Sequence, residues 1–399
     1  MGIELPKGEG CSACGACLAV CPVTAIEMKA SADGFQHPTI QEDKCVSCGK
    51  CMKVCALRTA EEKWEPLEAY AAVGRNNELV RSSASGGAFA SLATQWINKG
   101  GLVAGAVMDT EGETIQVFHE LTDCADGVAR MQGSKYVQSD AWKSYQGIVE
   151  ALRQGKQVLF SGTPCQVSAV KRITGDPDNL VTIDLICHGV PSLQMLNDYV
   201  QVLNRRFCGK TKQIIFRDKS TGKDFSARIH IVRRKNLRQL RLRSHQMSYY
   251  QYFLGGAIYR DSCYVCPYAR PERVADITIG DYWGVEKHLS EEIAKRNAER
   301  KTDWSCLLVN TPKGKAFIEK YGQELELYLS ETSHIAETNQ QLNAPSKKQP
   351  EREGIMKLYR QKGYAAIEQA YIRASGGSVR YFWSLYKEIR RNRGSGKAI

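Results

Sequence analysis

Eight of the chain's fifteen cysteines fall in two runs with the same C-x2-C-x2-C-x3-C spacing, 34 residues apart. A run of this kind presents three thiolates from one tight loop to three irons of a cubane, while its fourth thiolate reaches the neighbouring cluster. The spacing therefore predicts two [4Fe-4S] clusters with crossed ligands. One cluster takes Cys11, Cys14, Cys17 and Cys55, and the other takes Cys45, Cys48, Cys51 and Cys21.

Structural zinc and disulfides are the two alternatives to iron-sulfur clusters for these cysteines. Zinc gathers four ligands in one tetrahedron and usually draws on pairs of C-x2-C, whereas disulfides need an oxidising compartment. Neither explains a three-cysteine run that occurs twice with a further cysteine at the same distance. Pro22 follows the first run, but Ala56 follows the second, a difference that removes no ligand.

The composition is that of an ordinary globular protein of 399 residues, with 43% hydrophobic and 25% charged residues. The apolar stretches are shorter than the roughly 18 residues that a membrane span needs. The amino terminus lacks the apolar region of a secretory signal. We therefore expect a cytoplasmic protein with no membrane span, of two or three domains.

The formal charge of +12 raises the question of an anionic partner. Two thiolate-bound cubanes of about −2 each would compensate part of it. Two stretches carry much of the rest: Arg233, Arg234, Lys235, Arg238, Arg241 and Arg243, and Lys387, Arg390, Arg391, Arg393 and Lys397. A solvated face is the favoured interpretation of each, with an acidic protein or an anionic substrate as the alternative. Because neither an aromatic-lined groove nor a helix-turn-helix pattern accompanies them, nucleic-acid binding is not expected.

The sequence changes character after the second cysteine run. Residues 59–66 (TAEEKWEP) resemble a charged linker, and short apolar strands then alternate with amphipathic helices. We predict an α+β ferredoxin-like two-cluster domain over residues 1–60 and a larger α/β domain with a mixed sheet over residues 67–325. A basic helical C-terminal extension over residues 326–399 is expected to contain two helices between 352 and 393, broken at Gly376-Gly377.

Four further cysteines lie in loop contexts: Cys165, Cys187, Cys263 and Cys266. Cys165 and Cys187 each come just after a predicted strand, so both should emerge at the carboxyl edge of a parallel sheet, where open α/β sheets bind ligands. The C-x2-C pair could complete four thiolates. On the residues alone, buried free thiols remain the alternative. Cys124, Cys208 and Cys306 lack such contexts and are assigned no site.

A serine- and glycine-rich stretch precedes the helix predicted from about Gly87 to Lys99. Exposed backbone N–H groups at a helix start can bind a phosphate, assisted by the helix dipole. The residues concerned are Ser82, Ser83, Ser85, Gly86 and Gly87. Simple capping of the helix by a serine is the alternative. Two weaker candidates are the segments Gly133-Ser134-Lys135-Tyr136 and Gly280-Asp281-Tyr282-Trp283-Gly284.

Seven segments of the chain resemble the coenzyme F420 hydrogenase/dehydrogenase beta subunit family, in its bacterial form with an amino-terminal two-cluster ferredoxin domain. They are RSSASGGAFASL (81–92), QGSKYVQS (132–139), FSGTPCQVSAVK (160–171), DLICHGVPS (184–192), CYVCPY (263–268), ADITIGDYWGV (275–285) and SCLLVNTPKGK (305–315). With the cysteine runs they cover about residues 1–320. The extension after about residue 320 is not part of the family's core.

The resemblance implies FAD and a third [4Fe-4S] cluster, whose ligands would be Cys165, Cys187, Cys263 and Cys266. It implies that residues 67–325 form a flavin and iron-sulfur domain. FAD contacts would fall on the serine-glycine stretch, Ser134, Lys135, Gly280 and Asp281. Lys135 could stabilise negative charge on a reduced flavin. His188, beside an implied ligand, is the candidate proton donor, and a merely hydrogen-bonded histidine is the alternative.

These implications predict an oxidoreductase that couples single-electron exchange with a ferredoxin or other redox partner protein to hydride chemistry at FAD. Its substrate would be an F420-like or other small organic molecule, with a polysaccharide-related metabolite as one option. The alternative function is an electron-transfer subunit that serves a partner enzyme and has no substrate chemistry of its own. An iron-sulfur sensor without flavin is a third hypothesis.

Overall fold

The computed structural model of the protein describes residues 5–6, 10–56, 58, 62–219, 225–289, 293 and 303–394. Its amino-terminal part contains an antiparallel hairpin of β1 (Ile26–Ala30) and β2 (Gln36–Ile40), and two one-turn helices, α1 (Ala16–Ala19) and α2 (Lys50–Lys53). The two helices contact each other. Each helix contains the third cysteine of one run, so the duplication in sequence is also a duplication in structure.

The remaining described strands form two sheets. In chain order they are β3 (Glu68–Gly74), β4 (Leu102–Asp109), β5 (Gln116–Thr122), β6 (Val158–Gly162), β7 (Leu180–Leu185), β8 (Lys210–Ile215), β9 (Ser226–Arg233), β10 (Asn236–Arg243), β11 (Ile277–Asp281), β12 (Ser305–Val309) and β13 (Leu325–Ser330). The larger sheet has the order β13-β3-β12-β11-β7-β6-β4-β5, and the smaller one has the order β10-β9-β8.

The described helices beyond the amino-terminal part cover the faces and ends of these sheets. They are α3 (Asn77–Ser82), α4 (Ala88–Asn98), α5 (Ala125–Met131), α6 (Trp142–Arg153), α7 (Pro164–Thr174), α8 (Leu193–Phe207), α9 (Ser248–Leu254), α10 (Pro312–Tyr321), α11 (Thr332–Thr338), α12 (Arg352–Lys362), α13 (Tyr364–Ala374) and α14 (Gly377–Gly394).

The large sheet is mixed, which confirms the predicted mixed α/β architecture. Its central strands β4, β6, β7 and β11 are parallel, and the outer strands pair antiparallel. Strands β6 and β7 are short apolar runs because helices cover both of their faces, as is usual for parallel strands. Their carboxyl ends lie side by side, since Gly162 is in register with Asp184. The segments that follow β6, β7 and β11 therefore meet at one edge of the sheet.

Two predictions about the carboxyl-terminal part are wrong. The predicted domain boundary at residue 325 falls on the first residue of β13, which pairs with β3 in the large sheet. The region predicted as two helices contains three, because Gly363, with φ of 70°, ends α12 before α13 begins. Met356, Tyr364 and Ile367 are buried in one core cluster with the small sheet and α8. The extension is thus packed into the body of the protein and is more than an appendage.

The amino-terminal part is fixed to the α/β body by direct contacts. Gln138 Nε2 donates to the carbonyl of Ser12 over 2.9 Å, and the hydroxyl of Tyr145 donates to the carbonyl of Cys14 over 3.0 Å. Gly15, with φ of 80°, sits so close to α6 that an added Cβ would lie 2.5 Å from Cβ of Trp142. These contacts hold the first cysteine loop against the sheet edge.

Candidate iron-sulfur and cofactor site

The two amino-terminal cysteine loops have the same backbone conformation. Ala13 and Ser47, at equivalent positions, have φ of 51° and 52°, and Gly15 and Gly49 have φ of 80° and 71°. Placing a non-glycine residue in the left-handed region costs roughly 1 kcal/mol or more of conformational free energy. Because the same strained conformation occurs at equivalent positions of both loops, we infer that it serves the same role in each. The conformation folds each loop tightly enough to turn its cysteines toward a common centre.

The structure brings the eight thiols together in two crossed sets. We call Cys11, Cys14, Cys17 and Cys55 the inner set, and Cys21, Cys45, Cys48 and Cys51 the outer set. Burial raises the pKa of Cys11, and the thiol of Cys55 from the second run is close enough to raise it further. The four outer cysteines line one apolar pocket together with Val23, Ala25, Ile26, Ile40 and Val46. Each set thus takes three cysteines from one run and one from the other.

The four cysteines of the body, which we call the third set, also lie together. Cys165 is in the first turn of α7, Cys187 follows β7, and Cys263 and Cys266 flank the end of a single 3-10 turn over Asp261–Val265. Burial raises the pKa of Cys187 well above its usual value, and the thiols of Cys263 and Cys165 raise it further. The predicted placement at the carboxyl edge of parallel strands describes Cys165 and Cys187 well.

The inner and third sets are neighbours. Burial raises the pKa of Cys14 to about 12, and the nearby thiol of Cys165 contributes to this shift. The buried ring of Tyr145 interacts with both of these thiols. Arg260, which is 2% exposed, interacts electrostatically with Cys11 on one side and with Cys263 and Cys165 on the other. A cation and an aromatic ring therefore lie where the two sets meet.

The donor chemistry of these sets fits iron-sulfur clusters. Because burial raises the pKa of Cys165 to about 11 and that of Cys263 to about 12, the thiols are protonated near neutrality unless a metal displaces the protons. Nη1 of Arg260 is buried and has no hydrogen-bond partner among the described residues. Such a donor suits an acceptor that is itself a cluster. The described His, Cys, Asp and Glu side chains form no group of three that would hold one metal ion, whereas the thiolates around a cubane bind different irons.

Three of the residues implied as FAD contacts are brought together beside the third set. The hydroxyl of Ser85 donates to the carbonyl of Trp304 over 2.8 Å. It lies close enough to the carboxylate of Asp281, at the end of β11, to oppose the rise in pKa that burial causes there. Oδ2 of Asp281 lies 3.4 Å from Nη1 of Arg217. Ser134 bonds the phenol of Tyr136, which interacts with Arg217 and Asp281. Asp281 thus pairs directly with Arg217, while Ser85 lies near Asp281 and Ser134 is linked to the same group through Tyr136.

The other residues of the serine-glycine stretch have structural partners. The hydroxyls of Ser82 and Ser83 donate to the carbonyls of Glu78 and Leu79 in α3. An added Cβ on Gly86 would lie 2.4 Å from the carbonyl oxygen of Ala72, so this glycine permits a close backbone contact. Gly87 is the N-cap of α4, and no side chain caps the helix. Capping by a serine, one of the two alternatives, is therefore wrong, and the helix start keeps N–H groups available.

Lys135 and His188 occupy different surroundings. Nζ of Lys135 donates to the carbonyls of Arg130, Met131 and Gln132 at 2.7 to 3.1 Å, so all three of its protons serve the end of α5. Burial lowers the pKa of Lys135 to about 7. His188 follows Cys187 directly and is exposed to solvent, although surrounding protein atoms lower the pKa of its ring and Asp281 is near enough to oppose that shift. A flavin contact by Lys135 would require its ammonium group to leave α5. Gly280 approaches Ile186, which is 2.8 Å from the position of an added Cβ.

Sequence reasoning missed three cations at this site. The guanidinium of Arg217 lies over the rings of both Phe225 and Trp283, 4.9 and 5.0 Å from their centroids, and its Nη2 lies 3.4 Å from Asp303. Lys219 Nζ contacts the carbonyl of Ser85, and burial lowers its pKa to about 8. Arg260 is the third. The only sequence signal for Arg217 and Lys219 is their position at the end of a strand, and for Arg260 its closeness to the C-x2-C pair.

Comparison with known proteins gives two family matches. Residues 155–334 match the family described as the carboxyl-terminal part of the coenzyme F420 hydrogenase/dehydrogenase beta subunit. Residues 10–58 match the family described as "4Fe-4S dicluster domain". No curated protein matches the chain. Among solved structures, a chain of the xenon-derivatised F420-reducing [NiFe] hydrogenase complex from Methanosarcina barkeri is 15% identical, with a TM-score of 0.43, and the alignment covers 80% of this chain and 97% of that one.

The two family matches occur in the order that the sequence motifs predict. The dicluster match contains the inner and outer sets, and the second match contains the third set and Arg217. The chain therefore contains a region of the coenzyme F420 hydrogenase/dehydrogenase beta subunit family over residues 155–334 and a 4Fe-4S dicluster domain over residues 10–58.

Proposed function

We propose that the protein is an iron-sulfur flavoprotein oxidoreductase that converts between single-electron exchange with a redox partner protein and hydride exchange with a small organic substrate. The observation that carries this proposal is the contiguity of the thiol sets. The outer set shares its crossed loops with the inner set, the inner set touches the third set at Cys14 and Cys165, and the third set borders His188 and Asp281. An F420-like molecule or another small organic anion is the proposed substrate class.

The proposed cofactors are three [4Fe-4S] clusters and FAD. When bound, the clusters supply one-electron transfer and the flavin supplies two-electron hydride chemistry. The chain's own part is to hold them and to balance their charge. The uncapped start of α4, with Lys219 and Arg217 beside it, offers N–H groups and cations suited to a pyrophosphate. Arg260 offers a buried cation to the inner and third sets.

The outer set supports exchange with a second protein. Cys48 is exposed, and Val46 beside it is 60% exposed. Electrons can therefore reach the chain at its surface without any rearrangement of the body. The same exposure would serve the alternative function, an electron-transfer subunit without substrate chemistry of its own.

An anaerobic preparation of the full chain tests the proposal. We expect about twelve irons per chain, and a flavin spectrum that remains after the cluster absorbance has been bleached. With reduced methyl viologen as the electron source, the preparation should reduce F420 or another hydride acceptor. Turnover of dyes alone would favour the electron-transfer subunit, and iron without flavin would overturn the proposal.

Replacing Arg217 by methionine should weaken flavin binding by about tenfold or more, because charged hydrogen bonds contribute roughly 1.5 to 3 kcal/mol each. Asp281 and Asp303 would lose one of their two cations beside the proposed cofactor site, and only Lys219 would remain. Flavin titration of the reconstituted protein measures the effect, and iron content should not change. Arg228→Met is the matched control, since Arg228 lies on the same small sheet and pairs with Asp218 over 3.8 Å. Equal flavin affinity in both variants would remove Arg217 from the site.

Replacing Arg260 by methionine should make the reduction potentials of the inner and third clusters more negative. Loss of a unit charge about 10 Å away in a medium of effective dielectric constant about 20 changes the energy by about 1.7 kcal/mol, or about 70 mV for one electron. A potentiometric titration followed by electron paramagnetic resonance measures the shift. Arg260→Lys keeps the charge and should recover most of the potential. Unchanged potentials in the methionine variant at full iron content would contradict this role.

A further inference from the structure

Helix α14 has an apolar face on each of two opposite sides. Tyr381 and Leu385 are 4% and 3% exposed and belong to the core. Val379, Phe382, Trp383 and Tyr386 are 87%, 47%, 57% and 47% exposed. Because their spacing is i, i+3, i+4 and i+7, the four side chains form one stripe along the helix. We call them the aromatic stripe.

The aromatic stripe is a concentration of exposed apolar side chains in the described part of the chain. Scattered exposed hydrophobic residues are normal on a protein surface, but a contiguous group marks an interaction site. Here the indole of Trp383 stacks on the phenol of Tyr386, with ring centroids 5.6 Å apart. Tyr381 and Leu385 already fix the helix to the body, so the stripe is not needed for that contact.

A basic cleft of about 310 Å³ adjoins the aromatic stripe. It lies between α14 and the end of β10, and its cationic side chains are Arg243, Arg380 and Lys387, with the imidazole of His245 beside them. Trp383 forms part of its wall, and none of the described residues that line it carries a carboxylate. Nζ of Lys387 lies 5.5 Å from the centroid of the Trp383 ring. The cleft therefore fits an anionic group held next to an apolar surface.

The fold brings together two basic stretches that are far apart in sequence. Strand β10 contains Arg238, Arg241 and Arg243, and it packs against α14. Arg380 and Lys387 are one and three helical turns from the start of α14, on the side that faces the cleft. The sequence continues with Arg390, Arg391, Arg393 and Lys397. Arg243 of the first stretch and Lys387 of the second thus lie at one cleft beside the aromatic stripe.

We propose that α14 and the adjoining β10 cleft bind a membrane surface that contains anionic phospholipid. Aromatic residues favour the boundary between headgroups and acyl chains, and flanking lysine and arginine side chains can extend to the phosphates. The cleft would take a headgroup phosphate while the stripe enters the boundary region. No described helix is long and apolar enough to cross a membrane. The contact is therefore one along the surface.

Charge favours a lipid surface over a second copy of the chain. A twofold dimer built on this face would bring the basic clefts of the two copies close to each other, so like charges would repel. An anionic headgroup layer instead complements the cations over a broad area. An acidic protein partner shares that complementarity, but a narrow convex stripe of aromatic rings is better matched by a deformable lipid boundary.

Vesicle binding by the full, anaerobically purified chain tests the proposal. We expect the chain to sediment with vesicles of equal parts phosphatidylcholine and phosphatidylglycerol, but not with phosphatidylcholine alone, and salt should weaken the binding. Phe382→Ser with Trp383→Ser, and separately Arg380→Glu with Lys387→Glu, should each lower the bound fraction about tenfold. Leu329→Ser is the matched control, because Leu329 is 74% exposed on β13, outside the stripe.

Three results would overturn the proposal. The first is a failure of either vesicle comparison: the parent chain binds neutral and anionic vesicles equally, or the Leu329→Ser control and the two double variants bind anionic vesicles equally. The second is concentration-dependent self-association without lipid that Trp383→Ser abolishes, which would make the stripe a dimer interface. The third is an acidic protein that binds the stripe while vesicles do not. Iron content and melting temperature, measured on every variant, separate lost binding from lost folding.

Discussion

Replacing Cys165 by alanine should remove about four iron atoms per chain, the content of one cubane. Cys165 contributes one thiol to the third set and lies next to Cys14 of the inner set. Without its fourth ligand the third cluster should not assemble, whereas the amino-terminal clusters keep all eight of their cysteines. Iron and acid-labile sulfide analysis of anaerobic preparations measures the loss. Electron transfer between the dicluster domain and the proposed flavin should fall below detection.

Cys124→Ala is the control for this experiment. Cys124 is exposed, and its thiol lies 3.3 Å from Oγ1 of Thr122, away from the three sets. The iron content of the Cys124→Ala variant should therefore equal that of the parent protein. Cys266→Ser tests the same set from the other side of the site and should reproduce the loss. Full iron content in both Cys165→Ala and Cys266→Ser would refute a third cluster at these residues.

The amino-terminal cysteine sets and the sheet-edge cysteines could be anticipated because their signals are local. The spacing of a cysteine run fixes which thiols one loop can present, and the structure brings the runs together in the crossed arrangement. Likewise, an apolar strand followed at once by Cys165 or Cys187 places that cysteine at the carboxyl end of the strand. Because β6 and β7 are adjacent parallel strands with their ends in register, Cys165 and Cys187 become neighbours.

The burial of Arg217 and Arg260 could not be anticipated, because their local signals, the end of a strand and the nearby C-x2-C pair, do not reveal which side chains will pack around them. Arg260 is buried by Gln138, Gln36 and the ring of Phe35, which come from distant parts of the chain. The same reason explains why the sequence alone favours two separate solvated faces for the basic stretches. Their meeting depends on the packing of β10 against α14, which is a tertiary contact.

The carboxyl-terminal extension shows how a packed segment can look independent in sequence. In this polar segment nothing in the sequence indicates that Glu368 is buried, yet its carboxylate forms an ion pair with Arg206 of α8 in the interior. The hydroxyl of Ser248 donates to the same carboxylate. A buried carboxylate looks like a surface residue until its partners are known, so the extension's contribution to the core had no local signal.

A buried ion pair holds in place the backbone segments that carry Cys187 and Cys266 of the third set; we call these segments the frame of the third set. Arg273 and Asp184 are 2% and 0% exposed, and their charged groups lie 3.0 Å apart. Arg273 also donates to the carbonyls of Tyr268 and Leu185. Leu185 ends β7 two residues before Cys187, and Tyr268 follows Cys266 by two residues. One arginine therefore ties together the segments that carry two of the four cysteines.

Replacing Arg273 by methionine should lower the free energy of unfolding by about 3 to 5 kcal/mol, the typical effect of leaving one buried charge without its partner. Chemical denaturation measures the loss. Burial already raises the pKa of Asp184, and Arg273 opposes that shift. The variant should therefore be least stable near neutral pH, where folding must bury an unpaired carboxylate, and should recover as acid protonates Asp184.

Two comparisons decide whether the loss comes from the buried charge. Asp184→Asn in the Arg273→Met background removes the unpaired carboxylate, so the double variant should be more stable than the single one and should lose the recovery in acid. Arg130→Met breaks an ion pair of 2.6 Å whose side chains are 49% and 27% exposed, and should change stability by about 1 kcal/mol or less. If Arg273→Met were no more destabilising than Arg130→Met, the frame of the third set would rest on its strands and loops alone, and Arg273 would have no part in holding Cys187 and Cys266 in place.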